Sequence, residues 1–229
     1  MSTPLLNISR RSALRGAAAG LTGALLTVGT AGCTPGRDTT VASTPSQAPA
    51  GPPQSSRRIL LAYFSRAGEN YYYGGRTNLD VGNTEVLAGM ISALVPCDMY
   101  RIEAADPYPD GYDATVARNV REQNGDARPA IANPLPAIDQ YGSVILASGI
   151  WNVRAPMIMA TFTESYDFTG KTVFPVTTHA MSGLGTAPRD YRESYPGATI
   201  AEGLAVKGEE VRGAATDIKA WLQATGLLA

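Results

Sequence analysis

Ile59-Leu60-Leu61-Ala62-Tyr63-Phe64 is an unbroken apolar run that stops at Ser65. A run of this length suits a strand buried on both faces, the situation of a strand inside a parallel sheet. Beyond Ser65 the chain alternates between helix-like and strand-like segments. From Asn83, the residues Val86, Leu87, Met90, Ile91, Leu94 and Val95 recur at helical spacing, with Asn83 or Thr84 as cap and Pro96 as the stop. Met99–Ile102 reads as a short strand, and Tyr112, Val116 and Val120 set a second helix that stops near Gly125. Ser143–Ala147 reads as an interior strand, Pro156 opens a helix with Ile158 and Phe162 inward, and Thr172–Thr177 is a further strand with Pro175 as a local misfit. Thr199–Ala201 is a weak strand, and a last helix runs from Glu209 to Thr225 with a stop at Gly226. Five strands separated by helices predict an α/β fold, a doubly wound parallel sheet with helices on both faces. Ligands of such sheets sit beyond the carboxyl ends of the strands, at the switch point in strand order.

The alternation begins only at residue 57. Before it, Arg10, Arg11 and Arg15 precede an Ala-, Gly- and Leu-rich run from Gly16 to Thr30, a stretch too short to span a hydrocarbon core of ~30 Å comfortably. A charged start, a short apolar run and small residues at its end describe an export signal over residues 1–32. The paired arginines within Ser9-Arg10-Arg11-Ser12-Ala13-Leu14 resemble a twin-arginine signal. Thr30-Ala31-Gly32-Cys33 resembles a bacterial lipobox, which implies lipidation at Cys33; an ordinary cleaved signal that ends near a Cys is the alternative. Residues 33–56, rich in Thr, Ser, Pro and Gly, read as a flexible linker, because they carry too few large apolar side chains to offset the entropy of ordering.

Composition excludes several functions. Two Cys and one His leave no Cys-rich or His-cluster metal site, and Cys97 reads as an inert core thiol. The chain has 19 Lys+Arg against 20 Asp+Glu, and without residues 1–32 the basic count falls to 16, a balance of −4. That balance gives no electrostatic reason to expect nucleic acid.

Three loops succeed the strands. The first holds Ser65-Arg66-Ala67-Gly68 and then Gly82-Asn83-Thr84-Glu85 at the start of a helix. Hydroxyls, a glycine and the unpaired N–H groups of a helix N-terminus make a cradle for a phosphate. No Gly-x-x-x-x-Gly-Lys-Ser/Thr pattern is present, nor Gly-x-Gly-x-x-Gly. The arrangement resembles the FMN phosphate loop of the flavodoxin family, split here by Glu69–Asp80, as in a bacterial subgroup with an extended first loop. The resemblance covers about residues 58–225. It implies a flavodoxin-like five-stranded domain over residues 57–229 with FMN as cofactor, and Ser65, Arg66, Gly82, Asn83 and Thr84 around the phosphate.

The second loop, Ser148-Gly149-Ile150-Trp151-Asn152, matches the one that brackets the isoalloxazine ring in that family. Trp151 either stacks on the flat ring or packs beneath its loop, and Gly149 lets a backbone carbonyl turn toward the flavin. The third loop contains His179, Ser182 and Gly183, and the resemblance places it along the pyrimidine edge of the flavin. His179 either donates to flavin or substrate, or is hydrogen-bonded structure. Tyr71, Tyr72 and Tyr73 either cover the site and receive a flat partner such as a quinone, or pack on their own domain. The expected function is extracytoplasmic electron transfer with an unknown redox partner, or FMN-dependent reduction of a small acceptor, by a protein lipid-anchored on the outer face of the bacterial cytoplasmic membrane. The alternative is a flavin-free binding module on the same scaffold.

Overall fold

The structure is a computed structural model that describes residues 58–228. The export signal, Cys33 and the linker lie outside the described residues. Among the described residues no helix is long and apolar enough to cross a membrane.

Strand β1 (Ile59–Tyr63) has all five residues buried and lies between two parallel neighbours. On one side is β4 (Asp98–Arg101), with Leu60 opposite Asp98; on the other is β5 (Ser143–Gly149), with Leu61 opposite Ile145. Beyond β5 comes β6 (Thr172–His179), paired with it over seven residues from Ser143↔Thr172 to Gly149↔Thr178. The far edge of β6 carries β7 (Thr199–Ile200) at its start and β8 (Leu204–Lys207) at its end. The order β4-β1-β5-β6-β7 reverses at β1, so the switch point falls between β1 and β5.

The split edge explains Pro175. Val173 accepts a bond from the Ala201 N–H, so the groups of residues 173 and 175 face the same edge. The N–H that Pro175 lacks is therefore directed at the gap from Ala201 to Gly203, between β7 and β8, where no ladder bond is required. The expected fifth strand exists, in two pieces.

Helices cover both faces. Leu61, Ile145 and Val176 pack against Leu87 and Ile91 of α1 (Asn83–Ser92) and Ile218 and Leu222 of α5 (Ala215–Ala224). Leu60, Leu146 and Val173 point the other way, onto Ile158 and Phe162 of α3 (Met157–Glu164) and Tyr191 of α4 (Ala187–Ser194). Trp221 is structural, its Nε1 donating to the Glu202 carbonyl at 3.0 Å. Cys97 is half-buried, and burial together with Asp98 pushes its thiol above the ordinary value, so it stays protonated.

Four features differ from the sequence reading. The terminal helix is preceded by a separate 3-10 turn over Gly208–Gly213. Helix α4 was not expected, because only Ala187 and Tyr191 of its eight residues are buried and the rest have the composition of a loop. The insertion after β1 is a hairpin, β2 (Gly68–Tyr72) with β3 (Gly75–Leu79), turned at Tyr73 (φ 44°) and Gly74 (φ 84°). Two successive positive φ values give the turn whose twist matches paired strands. Finally, α2 (Tyr112–Asn124) exists as expected but is turned: Thr115, Asn119 and Glu122 are its buried residues, while Val116 and Val120 are 43% and 40% exposed.

Candidate functional site

The carboxyl ends of β1, β5 and β6 deliver Phe64–Arg66, Gly149–Asn152 and Thr178–Ala180 to one place. With the start of α1, the hairpin and one face of α2 they enclose a cavity of about 380 Å³.

One end of the cavity is built on the N-terminus of α1. Gly82 caps it with extended backbone (φ −67°, ψ 149°) and no side chain of its own. The cap is lent by β1: the Ser65 hydroxyl, nearly buried, accepts the Glu85 N–H at 3.1 Å. That leaves the Ser65 proton free to be donated. Gly82 is required here for space, since a Cβ would overlap Ser65 Oγ and the Arg66 carbonyl oxygen and lie 2.8 Å from the Arg66 carbonyl carbon. The Thr84 and Thr178 hydroxyls share a hydrogen bond of 2.7 Å, joining α1 to β6. The helix end is electropositive and aimed at the cavity.

Arg66 has two duties. Its Nη1 donates to the carbonyls of Pro109 (3.1 Å) and Asp110 (2.9 Å), and its Nη2 to the Glu69 carbonyl. These bonds hold the hairpin against the turn before α2. Nε is buried without a partner among the described residues, and burial pulls the guanidinium below its ordinary value, with Asp110 and Glu69 acting in the opposite direction. An anion in the cavity would relieve that desolvation. The hairpin is tied down further by the Glu69 carboxylate, which accepts the Tyr112 N–H at 2.9 Å and so caps α2. Arg76 adds two bonds to Asp113, at 2.7 and 3.0 Å, and lies 4.5 Å over the Tyr112 ring.

At the other end stands Trp151. Its ring meets Phe64 (5.7 Å, 77°) and Tyr108 (5.1 Å, 78°) edge-on, so it both packs beneath its loop and lines the cavity. The loop is a two-residue turn in which Trp151 and Arg154 exchange backbone bonds across Asn152 (φ 51°) and Val153 (φ 62°). Positive φ at a β-branched residue is strained, and such strain concentrates at functional sites. Gln123 of α2 holds the turn, donating to the Trp151 carbonyl at 2.9 Å and accepting from the Asn152 amide at 3.1 Å.

His179 is half-buried on the cavity wall, with Nδ1 buried and unpartnered among the described residues. Burial pulls its pKa below 6.5, Glu209 and Glu210 act upward, and Lys207 acts downward.

Of the expected site residues, Ser65, Arg66, Asn83, Thr84, Gly149, Ile150, Trp151, Asn152 and His179 line the cavity together. Gly82 lies behind them as a spacer. Three others do not line it. Ser148 is 1% exposed, with a hydroxyl that is unpartnered among the described residues. Ser182 and Gly183 form their own turn, in which Ser182 C=O accepts the Gly185 N–H at 2.9 Å and Gly183 C=O accepts the Thr177 hydroxyl at 3.0 Å. The sequence reading missed Tyr112, Thr115, Val116, Asn119 and Val120, the whole α2 wall. The local signal is the apolar pair Val116 and Val120, whose spacing alone predicts a face turned inward to the core. Of the three insertion tyrosines, Tyr71 reaches this cavity, while Tyr72 and Tyr73 are exposed and meet edge-on at 4.8 Å.

A reversed strand order with a helix-end cradle and an aromatic wall at the switch point defines a flavodoxin-like α/β protein. Residues 58–225 match the model of the flavodoxin family, and the chain belongs to that family. Comparison with curated proteins returns no match. Among solved structures, a protein of Bacteroides eggerthii assigned as a flavoprotein is 29% identical, with a TM-score of 0.58 over 74% of this chain and 98% of its own. A second, assigned likewise, from Bacteroides uniformis, is 26% identical with the same TM-score of 0.58 over 72% and 97%. A Lactobacillus acidophilus flavoprotein solved in complex with FMN is 13% identical, with a TM-score of 0.51 over 68% and 97%, a likeness of fold alone.

Proposed function

We propose that this chain binds FMN in the 380 Å³ cavity and uses it to transfer electrons. The observation that carries the reading is the pairing, in one cavity of a flavodoxin-family chain, of a phosphate-ready helix end with an aromatic wall. Ser65, Asn83, Thr84 and the α1 amides would hold the phosphate, with Arg66 Nε beside it. Trp151 would bound the ring. Bound FMN supplies the redox chemistry, transferring hydride or single electrons. The chain's own residues bind and orient the cofactor and keep water from its inner face. Exposed Tyr73 and Met181 line a second hollow that shares Tyr71, His179, Ala180 and Glu209 with the cavity, which favours reduction of a small flat acceptor, such as a quinone, or docking of a redox partner there. We propose further, on sequence alone, that the domain works outside the cytoplasmic membrane, tethered through lipidated Cys33.

The test is direct. The full chain, purified in mild detergent, should take up one FMN and turn yellow. Removing two phosphate partners with an Asn83→Ala/Thr84→Val double variant should weaken binding by at least about tenfold, since bonds to a charged group contribute about 1.5–3 kcal/mol each. A colourless protein that ignores added FMN would refute the reading and leave a flavin-free binding module.

A further inference from the structure

Folding leaves an amide without a partner in the α2 wall. Asn119 is 3% exposed, lines the cavity, and has its Oδ1 buried with no hydrogen-bond partner among the described residues. The other buried polar residues of α2 are satisfied. Thr115 donates to the carbonyls of Pro109 (2.8 Å) and Gly111 (3.0 Å). Glu122 accepts from the Tyr108 hydroxyl (2.8 Å) and Arg118 Nε (2.7 Å). Stripping water from an amide oxygen without replacing its bond costs about 1–3 kcal/mol, so a lone exception in this helix needs a reason. The surroundings supply one. Val116 and Val120, one helical turn apart, expose their side chains to the cavity instead of to the core. With Tyr112 and Trp151 they form apolar walls beside the Asn119 carboxamide, a setting for a flat ring with a polar edge. Ser182 and Gly183 of the third loop are engaged in their own turn, while His179 and Ala180 of that loop line the cavity.

We infer that Asn119, from α2, reads the imide edge of the isoalloxazine ring. The inference rests on the FMN reading above. The imide presents an N–H flanked by carbonyls, and a carboxamide offers the complementary acceptor and donors. The cavity's volume suits one ligand of this size, with its phosphate on α1 and its ring against α2.

The experiment compares FMN with 3-methyl-FMN, in which the imide N–H is replaced by N–CH3, on the full chain in mild detergent. Wild type should prefer FMN by about tenfold, because a site built to hydrogen-bond a group rejects the analogue that lacks it. Asn119→Leu, of similar bulk and without polar atoms, should bind FMN about tenfold more weakly and bind both flavins equally. Asn119→Ala makes the same comparison if the Leu variant does not fold by circular dichroism. A preference that survives in the variant overturns the inference while leaving the FMN reading intact. Flavin affinities that do not change, beside a raised KM for an added quinone, also overturn it, because Asn119 would then serve a second ligand. A wild type that binds no FMN removes the parent reading, and this one with it.

Discussion

Gly82 and Gly89 lie seven residues apart in and before one helix, and substitution by Ala should move stability in opposite directions. At Gly82 the backbone (φ −67°, ψ 149°) is open to any residue, so the cost of a Cβ is purely steric. The new carbon would overlap Ser65 Oγ and the Arg66 carbonyl oxygen and stand 2.8 Å from the Arg66 carbonyl carbon, where ordinary contact begins at 3.4 Å. Both Arg66 atoms are backbone, which no rotamer change can move aside, so α1 and the β1 loop must separate. Overpacking of this kind costs about 1–3 kcal/mol. Loss of the Ser65 cap on the Glu85 N–H adds about 1 kcal/mol. At about 2–4 °C per kcal/mol for a domain of this size, Gly82→Ala should melt about 5–15 °C lower. The same displacement pulls Ser65 away from the helix amides, so FMN affinity should fall at least about tenfold, as read by flavin fluorescence. Gly89, inside α1, has nothing within 4 Å of its would-be Cβ. Gly89→Ala should therefore gain about 0.5–1 kcal/mol from helix propensity and melt about 2–3 °C higher, without altering FMN binding. A Gly82→Ala protein that melts within about 2 °C of wild type and binds FMN normally would refute the packing argument.

Two further outcomes are expected. Burial disfavours the imidazolium of His179, so the unfolded chain takes its proton at a higher pH than the folded one. The flavin-free protein should thus keep full stability above pH 6.5 and lose part of it as pH falls through 6.5 toward the lowered folded value, a loss that His179→Gln removes. Identical melting-temperature profiles for the two proteins between about pH 5 and 7, above most carboxylate titrations, would exclude the effect. Cys33→Ser should move the protein from the membrane to the soluble fraction of cells; continued sedimentation with membranes would count against the lipid tether.

The amino-acid sequence determined the sheet and the phosphate end of the site. A strand buried on both faces announces itself as an apolar run, because every side chain in Ile59–Tyr63 must be apolar whatever its neighbours are. The start of α1 at Gly82-Asn83-Thr84 was legible as a place, but its cap was not: neither Asn83 nor Thr84 makes the expected cap, and the capping hydroxyl comes from Ser65, 20 residues earlier. The α2 wall was not legible. Val116 and Val120 are apolar and spaced for a core, yet the helix is turned so that Thr115, Asn119 and Glu122 are buried instead. That rotation is set by long-range bonds, from Glu69 to the Tyr112 N–H, Arg76 to Asp113, and Gln123 to the Trp151 loop, none of which a local pattern encodes. The hairpin that supplies the first two has the look of a loop in sequence, because its strands are polar and only half-buried. Local burial thus marked the central strands and the start of α1, whereas the tertiary structure alone decided which side of α2 faces the cavity, since that depends on partners some 30 to 45 residues away.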